Sequence, residues 1–192
     1  MTAIGASTLV VAACAGGGLS TKSVATVSPI AADPTPRAYQ SDAKRYSVQV
    51  PDDWRLEVRP DNNDLMIYSE DVLITIGYTS VPYDLPDALE SVAVNQIAAV
   101  KRSWGVDAEF VGAVPAGNDM GALLRFTVQP PQASNVHDVL QVLVAHNSTT
   151  VIRSSLWVIT MYTPPGRRHD YEEAFLDIVS TFQAHVENGV GV

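Results

Sequence analysis

The segment Tyr46-Ser-Val-Gln-Val-Pro-Asp-Asp-Trp54 carries the clearest structural signal in the chain. Its first five residues alternate between apolar and polar side chains, which is the pattern of a strand with one buried face. The Pro-Asp-Asp that follows is typical of a turn, and alternation resumes from Trp54 to Val58. The segment therefore predicts two consecutive strands, which we expect to pair in an antiparallel sheet because a short turn joins them.

Further strands are predicted on both sides of a central helix. Their apolar alternation covers residues 65–69, 72–81, 108–114, 120–128, 138–145 and 156–163. The central helix has Asp84 as its expected N-cap, Pro86 in its first turn and Gly105 just after its end. A last helix is expected to start at Asp170, with Glu173 completing a capping box. The predicted fold class is therefore α+β, an antiparallel sheet covered by two helices.

The N-terminal residues indicate export and a lipid anchor. Residues 3–13 are all small or apolar, a run too short to span a bilayer but typical of a signal peptide. The run ends in Val11-Ala-Ala-Cys14, which resembles the lipobox of bacterial lipoproteins. Cys14 is the only cysteine, so no disulfide can form within the chain. No Lys or Arg precedes the run, and we therefore expect the true start to lie upstream or the sequence to be truncated.

Composition divides the chain into three parts. Residues 1–14 are the predicted lipoprotein signal segment, and residues 15–38 are a predicted flexible tether that begins with three glycines and ends rich in proline. Residues 39–188 are expected to form a single α+β domain. We therefore expect an exported protein held at the cell membrane, within the cell envelope, by a lipid on Cys14.

The segment Tyr46–Trp54, the Leu85-Pro-Asp-Ala-Leu89 start of the central helix and the Ser180-Thr-Phe182 end of the last helix together resemble the PsbP/Mog-type superfamily. Combined with the lipobox, the chain is similar to the LpqN-type lipoproteins of actinobacteria. The resemblance implies an antiparallel sandwich and a non-catalytic role in binding or assembly. Membership of the LpqN type implies a part in envelope lipid traffic.

Charge argues against nucleic acid as a partner. The formal net charge is −9, from 21 acidic and 12 basic residues. The acidic side chains concentrate between Asp52 and Glu90, where Arg55 and Arg59 are the only cations. Such a surface repels a phosphate backbone and also disfavours direct adhesion to anionic headgroups at a membrane surface.

No sequence motif indicates catalysis, a metal or a cofactor. The four histidines, at positions 137, 146, 169 and 185, lack the close spacing of metal ligands and are expected in turns or on the surface. Ser154 and Ser155 lack the glycine-rich turn of a nucleophile elbow. The acidic segment 61–64 lacks the glycine and distal glutamate of a calcium loop, so it is read as a turn. The alternative is an envelope hydrolase whose site is assembled in space.

The chain has three tryptophans, each a candidate for the core or for contact with a ligand. Trp157 lies in an apolar strand and is expected in the core. Trp54 and Trp104 lie at the ends of elements, where aromatic side chains often border an apolar ligand site, although core packing remains the alternative for each. The sequence thus favours a non-catalytic envelope lipoprotein that binds a partner protein or an apolar, lipid-like ligand.

Overall fold

A seven-stranded antiparallel sheet forms the centre of the protein. A second sheet has three strands. The computed structural model describes residues 36–59, 65–81, 85–129, 135–147 and 154–185, all within one compact unit, Asp33–Val192. The predicted signal segment with Cys14, and most of the predicted tether, lie outside the described residues.

The chain order is five strands, a helix, four strands, a helix and a short strand. The first five strands are β1 Arg37–Ser41, β2 Tyr46–Val50, β3 Arg55–Val58, β4 Leu65–Ser69 and β5 Val72–Val81. Helix α1 is Leu89–Trp104, and it is followed by β6 Glu109–Ala116, β7 Asp119–Val128, β8 His137–Asn147 and β9 Ser154–Thr163. Helix α2 is Arg168–Ser180, and β10 is Gln183–Ala184. The large sheet has the strand order β3-β4-β5-β9-β8-β7-β6, and the small sheet has the order β1-β2-β10. The predicted α+β class, a large antiparallel sheet with two helices, is confirmed.

The two predicted strands around Pro51 do form, but they do not pair with each other. Strand β2 joins the small sheet and β3 joins the large one. Between them the chain turns at Pro51, whose carbonyl accepts a hydrogen bond from the Trp54 amide at 3.1 Å. The expectation of a β2–β3 pair was wrong because this turn carries the chain from one sheet to the other.

Alternating side chains give the large sheet two buried faces. On one face, residues such as Ile74, Ile76 and Val142 pack against α2 and the small sheet in the largest hydrophobic cluster, which we call the main core. On the other face, Leu143, Leu124 and neighbouring residues pack under α1 in two smaller clusters. The strands therefore bury apolar side chains on both faces, and the two helices lie on opposite sides of the sheet.

Helix α1 begins later than predicted. Its N-cap is Ala88, in an extended conformation and without a side-chain hydrogen bond, and Asp84 lies outside the described residues. Pro86 precedes the helix because the Leu85 amide donates to Asn147 Oδ1 at 2.9 Å, which holds this part of the chain against the end of β8. The predicted end is confirmed, since Gly105 adopts a left-handed conformation and its amide donates to the Lys101 carbonyl.

Helix α2 begins at Arg168, with Arg167 as its N-cap, so the predicted capping box at Asp170 was wrong. The Asp170 carboxylate binds Arg167 Nε at 2.8 Å instead of capping a backbone amide. The same guanidinium binds Asp71 at 3.0 Å and the Tyr171 hydroxyl at 3.1 Å. Arg167 thereby ties the start of α2 to the β4–β5 turn.

Strands β1 and β10 were not predicted. Strand β1 includes Arg37 and Ala38, the last two residues of the predicted tether, and pairs along its length with β2. Only Ser41 is buried within β1, so its sequence lacks a clear apolar alternation. Strand β10 has only two residues and forms through its pairing with Ser47 and Tyr46 of β2, a contact that no local pattern encodes.

The β6–β7 turn is fixed to the end of α2. Gly117 has a φ of 61°, in the left-handed region that favours glycine, and its amide donates to the Ser180 carbonyl at 3.0 Å. A Cβ atom at this position would lie 1.7 Å from the Phe182 carbonyl oxygen. The turn and the helix end can approach this closely only because residue 117 has no side chain.

Candidate ligand-binding cleft

Helix α1 covers only part of its side of the sheet. It packs on β6, β7 and β8. Beyond its C-terminal end, the side chains of β4, β5 and β9 that point to this face border an open cleft of about 350 Å³. We call it the Trp104 cleft; its lining residues are Arg59, Met66, Leu73, Thr75, Trp104, His137 and Tyr162. Its volume falls at the lower end of the range found for small-molecule sites.

Strand register brings the sheet residues of the cleft together. Leu73 of β5 is paired directly with Tyr162 of β9, and Thr75 is paired with Thr160. On β8, Val139 is the partner of Tyr162 and lies two residues from His137, so both point to the same face. Apolar alternation places each of these positions on the sheet, while the register decides that they share one cleft.

Met66 and Arg59 form one wall of the cleft. Arg59 Nε donates to the Met66 sulfur at 3.1 Å, and the Tyr68 hydroxyl donates to the same sulfur at 3.3 Å. Met66 is only 7% exposed, so this sulfur is fixed in place. The two contacts orient the Arg59 side chain, whose terminal guanidinium nitrogens have no ion-pair partner among the described residues.

His137 and Tyr162 form the opposite wall. Their rings meet edge to face, with centroids 6.3 Å apart and an interplanar angle of 88°. His137 Nδ1 is shielded from solvent and has no hydrogen-bond partner within the described part of the chain. Burial raises the pKa of Tyr162 above its usual value of 10.0. Its hydroxyl is protonated at neutral pH and can donate a hydrogen bond. Both side chains have hydrogen-bonding capacity that the described residues do not use.

A second cleft, of about 390 Å³, lies along the flank of α1, where Leu85, Val92, Gln96, Arg102 and Leu156 are among the lining residues. A buried polar chain runs from α1 across the sheet nearby. Gln96 Nε2 donates to Gln141 Oε1 at 2.8 Å, and Gln141 Nε2 donates to Thr160 Oγ1 at 3.0 Å. The Gln96 amide nitrogen therefore has a partner within the protein, whereas His137 Nδ1 and the Tyr162 hydroxyl have none among the described residues.

The tryptophans named as candidate ligand contacts have different environments. Trp104 is 40% exposed at the end of α1 and lines the cleft. Trp54 is 6% exposed and belongs to the main core, and it is not a lining residue of the Trp104 cleft. The Trp54 carbonyl accepts a hydrogen bond from Arg37 of β1. Trp157 is fully buried in the main core, as predicted.

No sequence pattern marks Arg59, His137 and Tyr162 as site residues. His137 was expected in a turn or on the surface, and this was wrong because it is a half-buried residue of β8. The alternation in β9 predicts that Tyr162 points to one face of the sheet. No periodicity marks the place where α1 stops covering that face, so the sequence held no signal for the cleft itself.

The described residues also contain one serine–histidine contact. Ser47 Oγ and His185 Nε2 lie 3.0 Å apart at the edge of the small sheet, where both residues are solvent-accessible. Within the described ranges, no carboxylate hydrogen-bonds His185, and no group of three or more metal-ligating side chains is found. This pair therefore lacks the orienting third group of a triad.

Searches of protein-family models and of curated protein sequences gave no match. Solved structures are similar in fold. The solution structure of cyanobacterial PsbP (CyanoP) from Synechocystis matches with a TM-score of 0.55 and 14% identity, over 84% of this chain and 98% of that one. LpqN, a protein involved in cell envelope biogenesis in Mycobacterium tuberculosis, matches with a TM-score of 0.58 and 13% identity, over 79% and 91%. The chain therefore has the PsbP/Mog-type fold that its motifs predict.

Proposed function

We propose that this protein is a non-catalytic envelope lipoprotein, anchored through Cys14, that binds a lipid-like amphiphile in the Trp104 cleft. The observation that carries the proposal is the composition of the cleft wall. Met66, Leu73 and Trp104 offer apolar surface, while Arg59, His137 and Tyr162 offer polar groups whose hydrogen-bonding capacity the described residues leave at least partly unused. A mainly apolar pocket with a few convergent polar groups is the usual form of a small-molecule site.

The polar groups of the cleft favour binding over catalysis. A nucleophile needs a neighbouring base, and that base needs a third group to orient it. His137 is the obvious base in the cleft, but it contacts the edge of Tyr162 and has no carboxylate partner within the described residues. Tyr162 has a raised pKa, the opposite of what an activated phenolate nucleophile requires.

Placement in the envelope is supported by two independent features. The Val11-Ala-Ala-Cys14 segment provides the lipidation signal. The similar fold of LpqN, which is involved in envelope biogenesis, is compatible with such a location. Within the part of the chain that the structure describes, neither helix has the length and apolar character needed to cross a bilayer.

Ligand binding is tested with native mass spectrometry and tryptophan fluorescence on the full chain. Delipidated protein carrying Cys14→Ser, so that no acyl group of its own competes, is mixed with envelope lipid extracts and then with single-chain amphiphiles of increasing length. Each additional buried CH₂ should tighten binding by about 0.8 kcal/mol, roughly fourfold, until the cleft is filled. The emission change should come from Trp104, because Trp54 and Trp157 are buried.

Trp104→Phe is the matched control. It should keep affinity within a few-fold while removing most of the emission change, since the other two tryptophans lie in the main core. If no lipid is retained and the emission is insensitive to chain length, the lipid-binding proposal fails. A partner protein then becomes the leading explanation of the cleft.

The anchor is tested separately. When the protein is expressed with its native upstream region, the unmodified chain should fractionate with the membrane, and Cys14→Ala should release it or leave it unprocessed. A Cys14→Ala protein that fractionates like its parent would refute the anchor without affecting the ligand-binding result.

A further inference from the structure

The polar groups that line the Trp104 cleft include several hydrogen-bond donors. Arg59 carries a positive charge, and the Tyr162 hydroxyl, whose pKa is raised by burial, is protonated at neutral pH. Thr75 and His137 add a hydroxyl and a ring nitrogen. Among the described lining residues none is an aspartate or glutamate, although acidic residues outnumber basic ones by 21 to 12 in the whole chain. The described lining of the cleft therefore carries one positive charge, on Arg59, and no negative charge.

These donors are not used elsewhere in the described residues. Arg59 donates a hydrogen bond to the Met66 sulfur, a weak acceptor, through its Nε alone. This contact leaves the two terminal nitrogens able to donate to a ligand. In the second cleft, by comparison, the side-chain amide of Gln96 is hydrogen-bonded to Gln141. Hydrogen-bond donors beside an apolar wall are complementary to a ligand that has hydrogen-bond acceptors at one end and a hydrocarbon chain at the other.

We propose that the Trp104 cleft binds a single-chain amphiphile with an anionic headgroup, a carboxylate or a phosphate, with Arg59 as its counter-ion and Leu73, Met66 and Trp104 against its chain. This inference rests on the proposed function and adds the headgroup class to it. A guanidinium can donate two parallel hydrogen bonds to either anion, so the geometry of Arg59 suits both. His137 and Tyr162 lie on the opposite wall, within the same cleft, and supply further donors.

The net negative charge of the protein does not oppose this assignment. Repulsion between exposed charges is largely screened beyond about 10 Å in 0.1 M salt. An anion in the cleft instead interacts most directly with Arg59, the one charged side chain of the described lining. The surrounding acidic surface would oppose adhesion to an anionic membrane surface as a whole, while one anionic molecule could still enter the cleft.

The test uses the full chain with Cys14→Ser and three probes that share a twelve-carbon chain, each below its micellar concentration. The probes are laurate, dodecyl phosphate and dodecyl maltoside. We expect laurate or dodecyl phosphate, or both, to bind at least tenfold more tightly than the neutral maltoside, since a hydrogen bond to a charged partner is worth more than a neutral one. The tighter of the two anions identifies the headgroup.

Arg59→Gln should weaken binding of the anionic probes about tenfold or more and leave the maltoside within twofold. Arg102→Gln is the matched control, because Arg102 is an exposed arginine lining the second cleft. It should change no affinity by more than about twofold. Arg59→Lys should recover part of the loss, since it retains the charge but not the paired donors. Circular dichroism checks that each variant folds.

Several outcomes would overturn the headgroup assignment. If the three probes bind equally and Arg59→Gln has no effect, the cleft reads only the hydrocarbon chain, and the proposed function survives without an anionic preference. If Arg59→Gln and Arg102→Gln weaken the anions equally, the effect is general electrostatic attraction. If no probe binds at all, both the headgroup assignment and the proposed function fall.

Discussion

The two faces of the seven-stranded sheet are closed to different degrees. On the α2 face, a helix and a three-stranded sheet cover one continuous main core, in which Tyr46, Trp157, Phe175 and Phe182 are each fully buried. On the α1 face, a single helix covers two smaller clusters, and the buried residues include the polar pair Gln141 and Thr160. Trp104 ends that helix with 40% of its surface exposed.

This difference separates stability from binding within one sheet. A face buried by two layers of structure has no room for a ligand, and each of its side chains contributes to the free energy of unfolding. A face covered only in part keeps apolar surface in contact with solvent, where a ligand can bury it. We therefore expect side chains of the α2 face to contribute most of the free energy of unfolding. Side chains of the α1 face near the cleft should contribute less.

The strongest test of this difference between the two faces is to replace one tryptophan on each face with alanine. Trp157→Ala should lower the free energy of unfolding by about 3–5 kcal/mol, the usual loss for a large aromatic core residue. It removes ring contacts with Phe182 and Tyr78, at 5.8 Å and 5.5 Å between centroids, and an Nε1 hydrogen bond to the Lys44 carbonyl. Trp104→Ala should lower it by about 1 kcal/mol or less.

Urea unfolding followed by circular dichroism measures both changes. The slope of free energy against urea concentration should be unchanged for Trp104→Ala, since the native core is untouched. Equal losses for the two variants would contradict the division of roles between the faces.

A second contrast uses two glycines with similar backbone angles. Gly117 and Gly105 have φ values of 61° and 70°, so alanine is strained at both. At Gly117, which lies against the end of α2, the new Cβ would also meet the Phe182 carbonyl oxygen at 1.7 Å. At Gly105, which follows α1, no heavy atom lies within 4 Å of it. Gly117→Ala should therefore cost roughly 2–4 kcal/mol and Gly105→Ala about 1 kcal/mol.

Thermal and urea unfolding of the two variants check this prediction. The difference between them isolates the close approach of the β6–β7 turn to the end of α2, because the backbone strain is common to both. Equal destabilisation would show that the turn relaxes without loss and that the main core is not closed at this point.

Breaking the chain of hydrogen bonds under α1 should have a smaller effect on the free energy of unfolding. Gln141→Leu should lower the free energy of unfolding by about 1–3 kcal/mol, because it leaves Gln96 and Thr160 without their partner in a buried region. Adding Thr160→Val should recover part of the loss, since the buried hydroxyl is then absent. A double variant less stable than the single one would mean that Thr160 stabilises this face through packing or bonds other than the one to Gln141.

The sequence predicted the apolar side chains of the main core better than it predicted the edge strands of the small sheet or the position of the cleft. The apolar stripe of α2 includes Phe175, Ile178 and Val179, and all three are buried as its helical period requires. Period-two alternation likewise located the strands that form the main core. These are local signals that a single segment carries, and tertiary structure reinforced them.

Errors arose where a distant residue intervened. Asp170 has the sequence context of a cap, but Arg167 and its contact with Asp71 of the β4–β5 turn recruit its carboxylate. Trp54 and Trp104 look equivalent in sequence, as aromatic residues at element ends. Only the packing of whole layers buries the first and leaves the second at a cleft. The cleft is a product of where α1 ends relative to the sheet, which no window of sequence contains.

The smallest expected effect concerns the alkaline pH dependence of stability, and it probes the open face through Tyr162. Burial raises the pKa of this phenol above its usual value of 10.0. As the pH rises past 10, the unfolded chain releases the proton while the folded protein retains it, so the unfolded state binds fewer protons and stability falls. The contribution is complete below the unfolded pKa and is lost as the pH passes the folded pKa. One proton sets a ceiling of about 1.4 kcal/mol per pH unit on this slope.

Tyr162→Phe should make stability fall less steeply above pH 10, and Thr75→Val, which alters the same cleft without removing an ionisable group, should not. Urea midpoints measured between about pH 8 and pH 11 separate the two variants, because this range brackets the usual pKa of a phenol. A bound anionic amphiphile should steepen the decline in the parent protein, because it would oppose formation of a phenolate beside it. Identical slopes for the parent and Tyr162→Phe would show that the cleft is open enough for water to solvate the phenolate.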